Sequence, residues 1–311
     1  MTKRIAILGG GHGLASVLRA LRDDCGELTV IVTIGDDGGS SGRLIRKGAG
    51  PAVGDLRRSL VALTGEEVVL GRALMRPVTV NRLGCHPLGN LMILSIADAF
   101  GDLARATQWL GERLEISGKV LPATAEPVSL VGETGGELIH GESAIGATRV
   151  RIRRLRFVPE RPAIPGAVLK AIEHADLCLL APGSLFTSVL AASAAPDVAS
   201  ALAHTAARVV WICNLKPDAI ETAGMRASDH LGALRRHGVR VDAALYDPRA
   251  ELHFDAAELA GERVEALPRP LQGHHCGTHD PALLRAAVRE LLAEPNKAGV
   301  RQTGSETMAT T

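Results

Sequence analysis

A chain of 311 residues with 46% hydrophobic and 22% charged side chains is long enough to bury a large core and too apolar to stay unfolded. Its 35 Lys and Arg nearly cancel its 34 Asp and Glu, and aromatics make up only 2%, which argues against nucleic acid as a partner. No apolar run approaches the roughly 20 residues that span a membrane, and the glycines at 9–13 cut the first apolar run before it resembles a signal-peptide core. With five scattered cysteines (Cys25, Cys85, Cys178, Cys213 and Cys276) suited to a reducing compartment, a cytoplasmic protein is expected.

Ile5 to Leu8 reads as a buried parallel strand, and Leu14, Val17, Leu18 and Leu21 are spaced as one face of a helix. A second strand at Leu28 to Val32 completes a βαβ unit, so both following loops should emerge at one carboxyl edge, where α/β sheets bind ligands. In the first loop Gly9, Gly10, Gly11, His12 and Gly13 let the backbone come close to a phosphate at a helix N-terminus. It is not the dinucleotide fingerprint, because Leu14 stands where the third glycine belongs, and no Gly-Lys-Ser/Thr follows to make a P-loop. In the second loop Asp36 and Asp37 precede Gly38, Ser40 and Ser41. With Asp55 nearby, this pair suits magnesium bridging phosphates better than a ribose contact, and an Asx turn with serine caps is the purely structural alternative.

A helix of about ten residues is expected from Gly54-Asp55, with Leu56, Leu60 and Leu63 on one face. Residues 66 to 120 read as mostly helical. Within them His86 and Asn90 flank a glycine turn, where capping competes with ligand contact, and a helix covers Leu103 to Leu114. From Val128 the pattern changes to strands at Val128 to Val131, Leu138 to His140 and Arg149 to Phe157. The last carries Arg149, Arg151, Arg153 and Arg154, as a solvated face or a functional basic surface. These strands predict an inserted β-rich subdomain over about 120–160.

Alternation then returns, with strands at Leu177 to Leu180, Arg208 to Cys213 and Val241 to Tyr246 and helices at Ala195 to His204, Ser228 to His237 and Pro281 to Ala293. The expected fold is therefore α/β, a Rossmann-like parallel sheet flanked by helices in a single domain over 1–294. Residues 295–311 read as a disordered tail. Gly183, Ser184 and Thr187 follow one strand and Asn214 and Lys216 another, so both clusters can reach the edge already described, although Ser184 also suits simple capping. The 273–280 loop holds His274, His275, Cys276 and His279, but it lacks a matching CxxC pair for zinc, and no Gly-x-Ser-x-Gly elbow supports a serine hydrolase.

Several ordered motifs resemble the YvcK-type gluconeogenesis factors of the CofD-like superfamily. They include Gly-Gly-Gly-x-Gly-Leu at 9–14, Asp36 to Leu44, Gly54 to Arg57, His86-x-x-Gly-Asn90-Leu91, Leu121 to Pro127, Gly141-Glu142-Ser143, Ala181 to Ser188 and Ala227 to His230. The resemblance implies a non-catalytic regulator that binds UDP-N-acetylglucosamine and supports cell shape and cell-wall synthesis during gluconeogenic growth, with a cell-wall regulatory protein as partner and self-association open. From the related 2-phospho-L-lactate transferases it implies that Asp37 and Asp55 hold a magnesium ion, the only cofactor suggested. That branch also supplies the alternative activity, magnesium-dependent transfer of a phosphorylated group from a nucleotide donor. Two positions depart from the family pattern: His12 stands where threonine is usual, and Thr278-His279-Asp280 where Arg-His-Asp is common.

Overall fold

A computed structural model describes residues 2–23, 26–46, 48, 50–65, 68–80, 84–254, 263–273 and 277–294. Cys25, the His274-His275-Cys276 run and the tail from 295 lie outside the described residues.

Seven parallel strands form the main sheet: β1 (Arg4–Gly9), β2 (Glu27–Val32), β5 (Lys119–Pro122), β9 (Leu177–Leu180), β10 (Arg208–Ile212), β11 (Ala243–Tyr246) and β12 (Glu265–Pro268), in the order β12-β11-β10-β9-β1-β2-β5. Their side chains alternate between two cores, as the period of two requires. Ile5, Ile7, Leu177, Leu179, Val210 and Ile212 enter one, while Ala6, Leu8, Cys178, Leu180, Val209 and Trp211 enter the other. The chain runs outward from β1 to β2 and β5, then returns to β9 and continues to the opposite edge. The order therefore reverses between β1 and β9, the topological switch point at which ligands bind such sheets.

One face is covered by α1 (Gly11–Leu21), α3 (Gly54–Leu63), α6 (Leu103–Arg113) and the last helix, α12 (Pro281–Ala293). The other is covered by α8 (Gly166–Glu173), a π-helical turn at Leu185–Leu190 running into the short α9 (Ala191–Ser193), α10 (Pro196–His204) and α11 (Ala227–Arg236). On this second face also lies a three-stranded antiparallel sheet, β7-β6-β8, made of β6 (Ser129–Glu133), β7 (Leu138–His140) and β8 (Arg154–Val158). No single helix among the described residues is long and apolar enough to cross a membrane, although the bent pair Leu185–Ser193 and Pro196–His204 passes on length and composition.

The mostly helical reading of 66–120 is met by α4 (Val69–Met75) and α5 (Leu88–Phe100), but several other elements differ from the sequence reading. The acidic loop continues into α2 (Gly39–Arg46), the 66–120 stretch also contains an antiparallel pair, β3 (Pro77–Val80) with β4 (Gly84–Pro87), and β5, α8 and β12 come from stretches to which the sequence reading gives no element of their own. The arginine-rich strand is confined to β8. Before it, Gly141 turns the chain into α7 (Glu142–Ala147). Short exposed strands such as β3 carry little periodicity, so the sequence pattern does not reveal them.

Candidate functional site

The turns after β1 and β9 face each other across the switch point. Gly13 has no room for a side chain, because a Cβ there would sit 2.0 Å from the Pro182 carbonyl oxygen. Beside this contact Asn214 spans the neighbouring loop in both directions: its Oδ1 accepts from the Gly183 N–H at 2.8 Å and its Nδ2 donates to the Gly183 carbonyl at 2.9 Å. The result is a cleft of about 330 Å³ lined by His12, Ser184, Asn214, Lys216, Thr278 and His279 among others. His279 is anchored by its Nε2, which donates to the Cys213 carbonyl at 3.1 Å, and burial holds its ring below the usual histidine pKa. Gly277 takes φ +82° beside the Lys216 stem, where its missing Cβ leaves the ammonium arm space.

The floor of the second turn is organised by acids. Asp36 Oδ1 accepts from the Gly38 N–H at 2.7 Å, and Asp37 Oδ1 accepts from the Ser143 N–H at 2.8 Å. Gly141, at φ +94°, approaches Asp37 so closely that a Cβ would lie 2.1 Å from its Oδ2. Carboxylate oxygens of Asp36, Asp37 and Glu142 lie within 4.8 Å of one another. Burial, followed by the negative charges of Asp36 and Asp37, pushes the Glu142 carboxyl up to about 7. Near neutral pH Glu142 is thus part-protonated and hydrogen-bonded to Asp36, and a divalent cation that displaced its proton would relieve the repulsion felt by the ionised form; the donor set is all oxygen, as magnesium requires.

Asp55 does different work. Its Oδ2 accepts from the Gly11 N–H at 2.7 Å and its Oδ1 pairs with Arg58, so it ties the start of α3 to the first turn of α1. Asp55 is near enough to Glu142 to add to its upward shift, but it is not one of the three clustered acids. Gly10 packs against the same carboxylate, with a Cβ position 2.7 Å from Asp55 Oδ2.

Ser40, His86 and Asn90 form a separate clamp. Ser40 Oγ lies 2.7 Å from His86 Nδ1 and accepts from Asn90 Nδ2 at 3.0 Å, fastening α2 to the start of α5. Among the described residues Asn90 Oδ1 is buried without a hydrogen-bond partner, as are Nε and Nη1 of Arg57 one turn into α3. Burial, reinforced by Arg58, lowers the Arg57 pKa to about 10. Ser41, in the first turn of α2, is buried. Ser184 precedes the π-helical turn but makes no capping bond, and Thr187 is buried with its N–H donated to Glu221 Oε1 at 3.0 Å.

Sequence pattern gives no role to two further residues. Glu142 stands only inside the Gly141-Glu142-Ser143 motif, with nothing local to mark it as a ligand. Glu221 carries no local signal either, yet its buried carboxylate holds the Phe186 and Thr187 N–H groups at the start of the π-helical turn. Burial outweighs those bonds and raises its pKa to about 6.

The profile of the family described as 2-phospho-L-lactate transferase CofD matches residues 5–267. A putative gluconeogenesis factor of Deinococcus radiodurans is 34% identical over 311 residues, covering 94% of this chain and 66% of that relative. A gluconeogenesis factor of Halalkalibacterium halodurans is 40% identical over 239 residues, covering 76% and 74%. The chain thus spans just under two thirds of the length of the first relative. A crystal structure of a UPF0052-family protein from Bacillus halodurans superposes with a TM-score of 0.86 at 32% identity, over 93% of this chain and 99% of that one.

Proposed function

The chain belongs to the CofD family, among its gluconeogenesis factors, and on that premise we propose that it is a cytoplasmic regulator that binds UDP-N-acetylglucosamine at the switch-point cleft. The observation that carries this reading is the close approach of two glycine turns, at Gly13 and Pro182-Gly183, beside Lys216. The N-terminal turn of α1 and the Lys216 ammonium suit the diphosphate, and the polar cleft wall at Thr278 and His279 suits the sugar or the base. Asn214 acts by holding the Gly183 turn in place. Magnesium, when bound, would screen the diphosphate and would be held by Asp36, Asp37 and Glu142, with Asp55 setting the height of the Gly11 turn beside it. Residues 1–294 work as one CofD-like unit in which the β6–β8 sheet is an insertion, and the output is control of cell-wall synthesis and cell shape during gluconeogenic growth through a protein partner.

A thermal-shift titration tests the binding step: UDP-N-acetylglucosamine should raise the melting temperature, and UDP should compete. A ligand-independent melting temperature at millimolar nucleotide sugar refutes it. The acid cluster favours one second reading, magnesium-dependent transfer of a phosphorylated group from a nucleotide donor. That activity should vanish in Asp37→Asn and Glu142→Gln, and a donor that stays intact for hours with the wild-type protein and magnesium counts against it.

A further inference from the structure

Strand β8 lies at the edge of its sheet, and the pairing of Leu130 with Phe157 and Gly132 with Leu155 fixes which of its backbone groups point outward. On the β7 side the Leu130 carbonyl accepts from Gly141, so the antiparallel alternation directs the backbone groups of Arg154, Arg156 and Val158 toward β6 and leaves those of Leu155 and Phe157 facing away. The Leu155 N–H donates to His237 Nε2 at 2.7 Å, while His237 Nδ1 donates to the Ala233 carbonyl. The Leu155 carbonyl and both backbone groups of Phe157 line the rest of this edge.

The edge opens into a cleft of about 640 Å³ whose far wall is α10, with the small residues Pro196, Ala199 and Ala203 facing it. Its charged lining is Arg154, Arg156, Arg236 and Glu160. Arg156 pairs with Glu133, whereas Arg154 and Arg236 form no ion pair among the described residues. An edge on which the Leu155 N–H is held by a side chain but the Leu155 carbonyl and Phe157 pair with no neighbouring strand, beside the guanidinium groups of Arg154 and Arg236, is a template for strand addition.

We propose that the β8–α10 cleft binds an acidic, extended segment of a partner protein, which adds to β8 as a further strand. Its backbone pairs with Phe157 and with the Leu155 carbonyl. Because strand side chains alternate, every second residue of the segment falls beside Arg154, Arg156 and Arg236, where a carboxylate fits, and the residues between face Ala199 and Ala203, where small or β-branched aliphatic groups fit. This surface is separate from the switch-point cleft and does not depend on what binds there.

The probe is a fluorescent hexapeptide of alternating glutamate and valine, read by anisotropy on the full chain. Saturable binding is expected, at least tenfold weaker for the glutamine-valine peptide, for the Arg154→Ala/Arg236→Ala variant, and for a peptide N-methylated at every second amide. Amide exchange at Phe157 should slow at least tenfold when the peptide is bound. Unchanged affinity after N-methylation shows attraction by charge without strand pairing and overturns the proposal. So does equal binding of the uncharged peptide, displacement by millimolar inorganic phosphate, or absence of binding at millimolar peptide.

Discussion

Replacing Glu221 with glutamine should remove a pH-dependent weakness from the fold. The residue is 3% exposed, and burial lifts its carboxyl from 4.5 to about 6 even though it accepts from the Phe186 and Thr187 N–H groups. A raised folded-state value means that the protonated acid is the form the fold prefers. The contribution to stability is complete below about pH 4.5 and is lost as pH rises through about 6. At about 1.4 kcal/mol per pH unit the loss is about 2 kcal/mol above pH 7. Glutamine stays neutral, and its amide oxygen can still accept from the same N–H groups. Urea unfolding followed by circular dichroism should therefore find Glu221→Gln more stable than wild type by about 2 kcal/mol at pH 7.5, with the gap closing toward pH 4.5. A gap that does not change with pH, or a variant less stable at pH 7.5, would refute the burial argument.

Gly13→Ala drives a methyl group to 2.0 Å from the Pro182 oxygen; the two turns must separate, costing about 1–3 kcal/mol, and the thermal shift caused by UDP-N-acetylglucosamine should disappear. Asn214→Ala removes both bonds to Gly183, a loss of about 2 kcal/mol at roughly 1 kcal/mol each, with nucleotide-sugar affinity falling even though the lost amide is spent on the turn; unchanged affinity in calorimetry would show that the turn holds itself. Glu142→Gln relieves the repulsion among the three acids, so the variant should gain less thermal stability from millimolar magnesium than wild type does, and an equal gain would place the ion elsewhere.

The parts of this molecule that can be read from the chain are those with strong local chemistry. Ile5 to Leu8, the glycines after them and Asp36-Asp37 announce a strand, a turn and an acidic floor, and the sheet puts all three at one edge. Helix α2 is illegible because Gly39-Ser40-Ser41-Gly42 has poor helix propensity. It forms through tertiary contacts: Leu44 is buried, Ser40 is clamped by His86 and Asn90, and a Cβ on Gly42 would meet the Asp37 carbonyl at 1.8 Å. Glu221 and Asp247 are illegible for another reason. Each receives backbone N–H groups from a segment distant in sequence, Phe186 and Thr187 for the first and Leu271 and Gln272 for the second, and no spacing rule encodes such a meeting.

The same limit applies to the acids of the site. The resemblance implies that Asp37 and Asp55 act together, and in the folded chain Asp55 is bound to Gly11 and Arg58 while Glu142 arrives from α7 to join Asp36 and Asp37. Only the fold of the β6–β8 insertion brings Gly141 against Asp37, and with it the third carboxylate.

If the turns at Gly13 and Gly183 cradle a nucleotide sugar, calorimetric titration of UDP-N-acetylglucosamine into the protein, with and without magnesium, will register it. Saturable one-site binding that strengthens with magnesium and is lost in Gly13→Ala is the predicted result. No heat at millimolar ligand, or equal binding by Gly13→Ala, would contradict it.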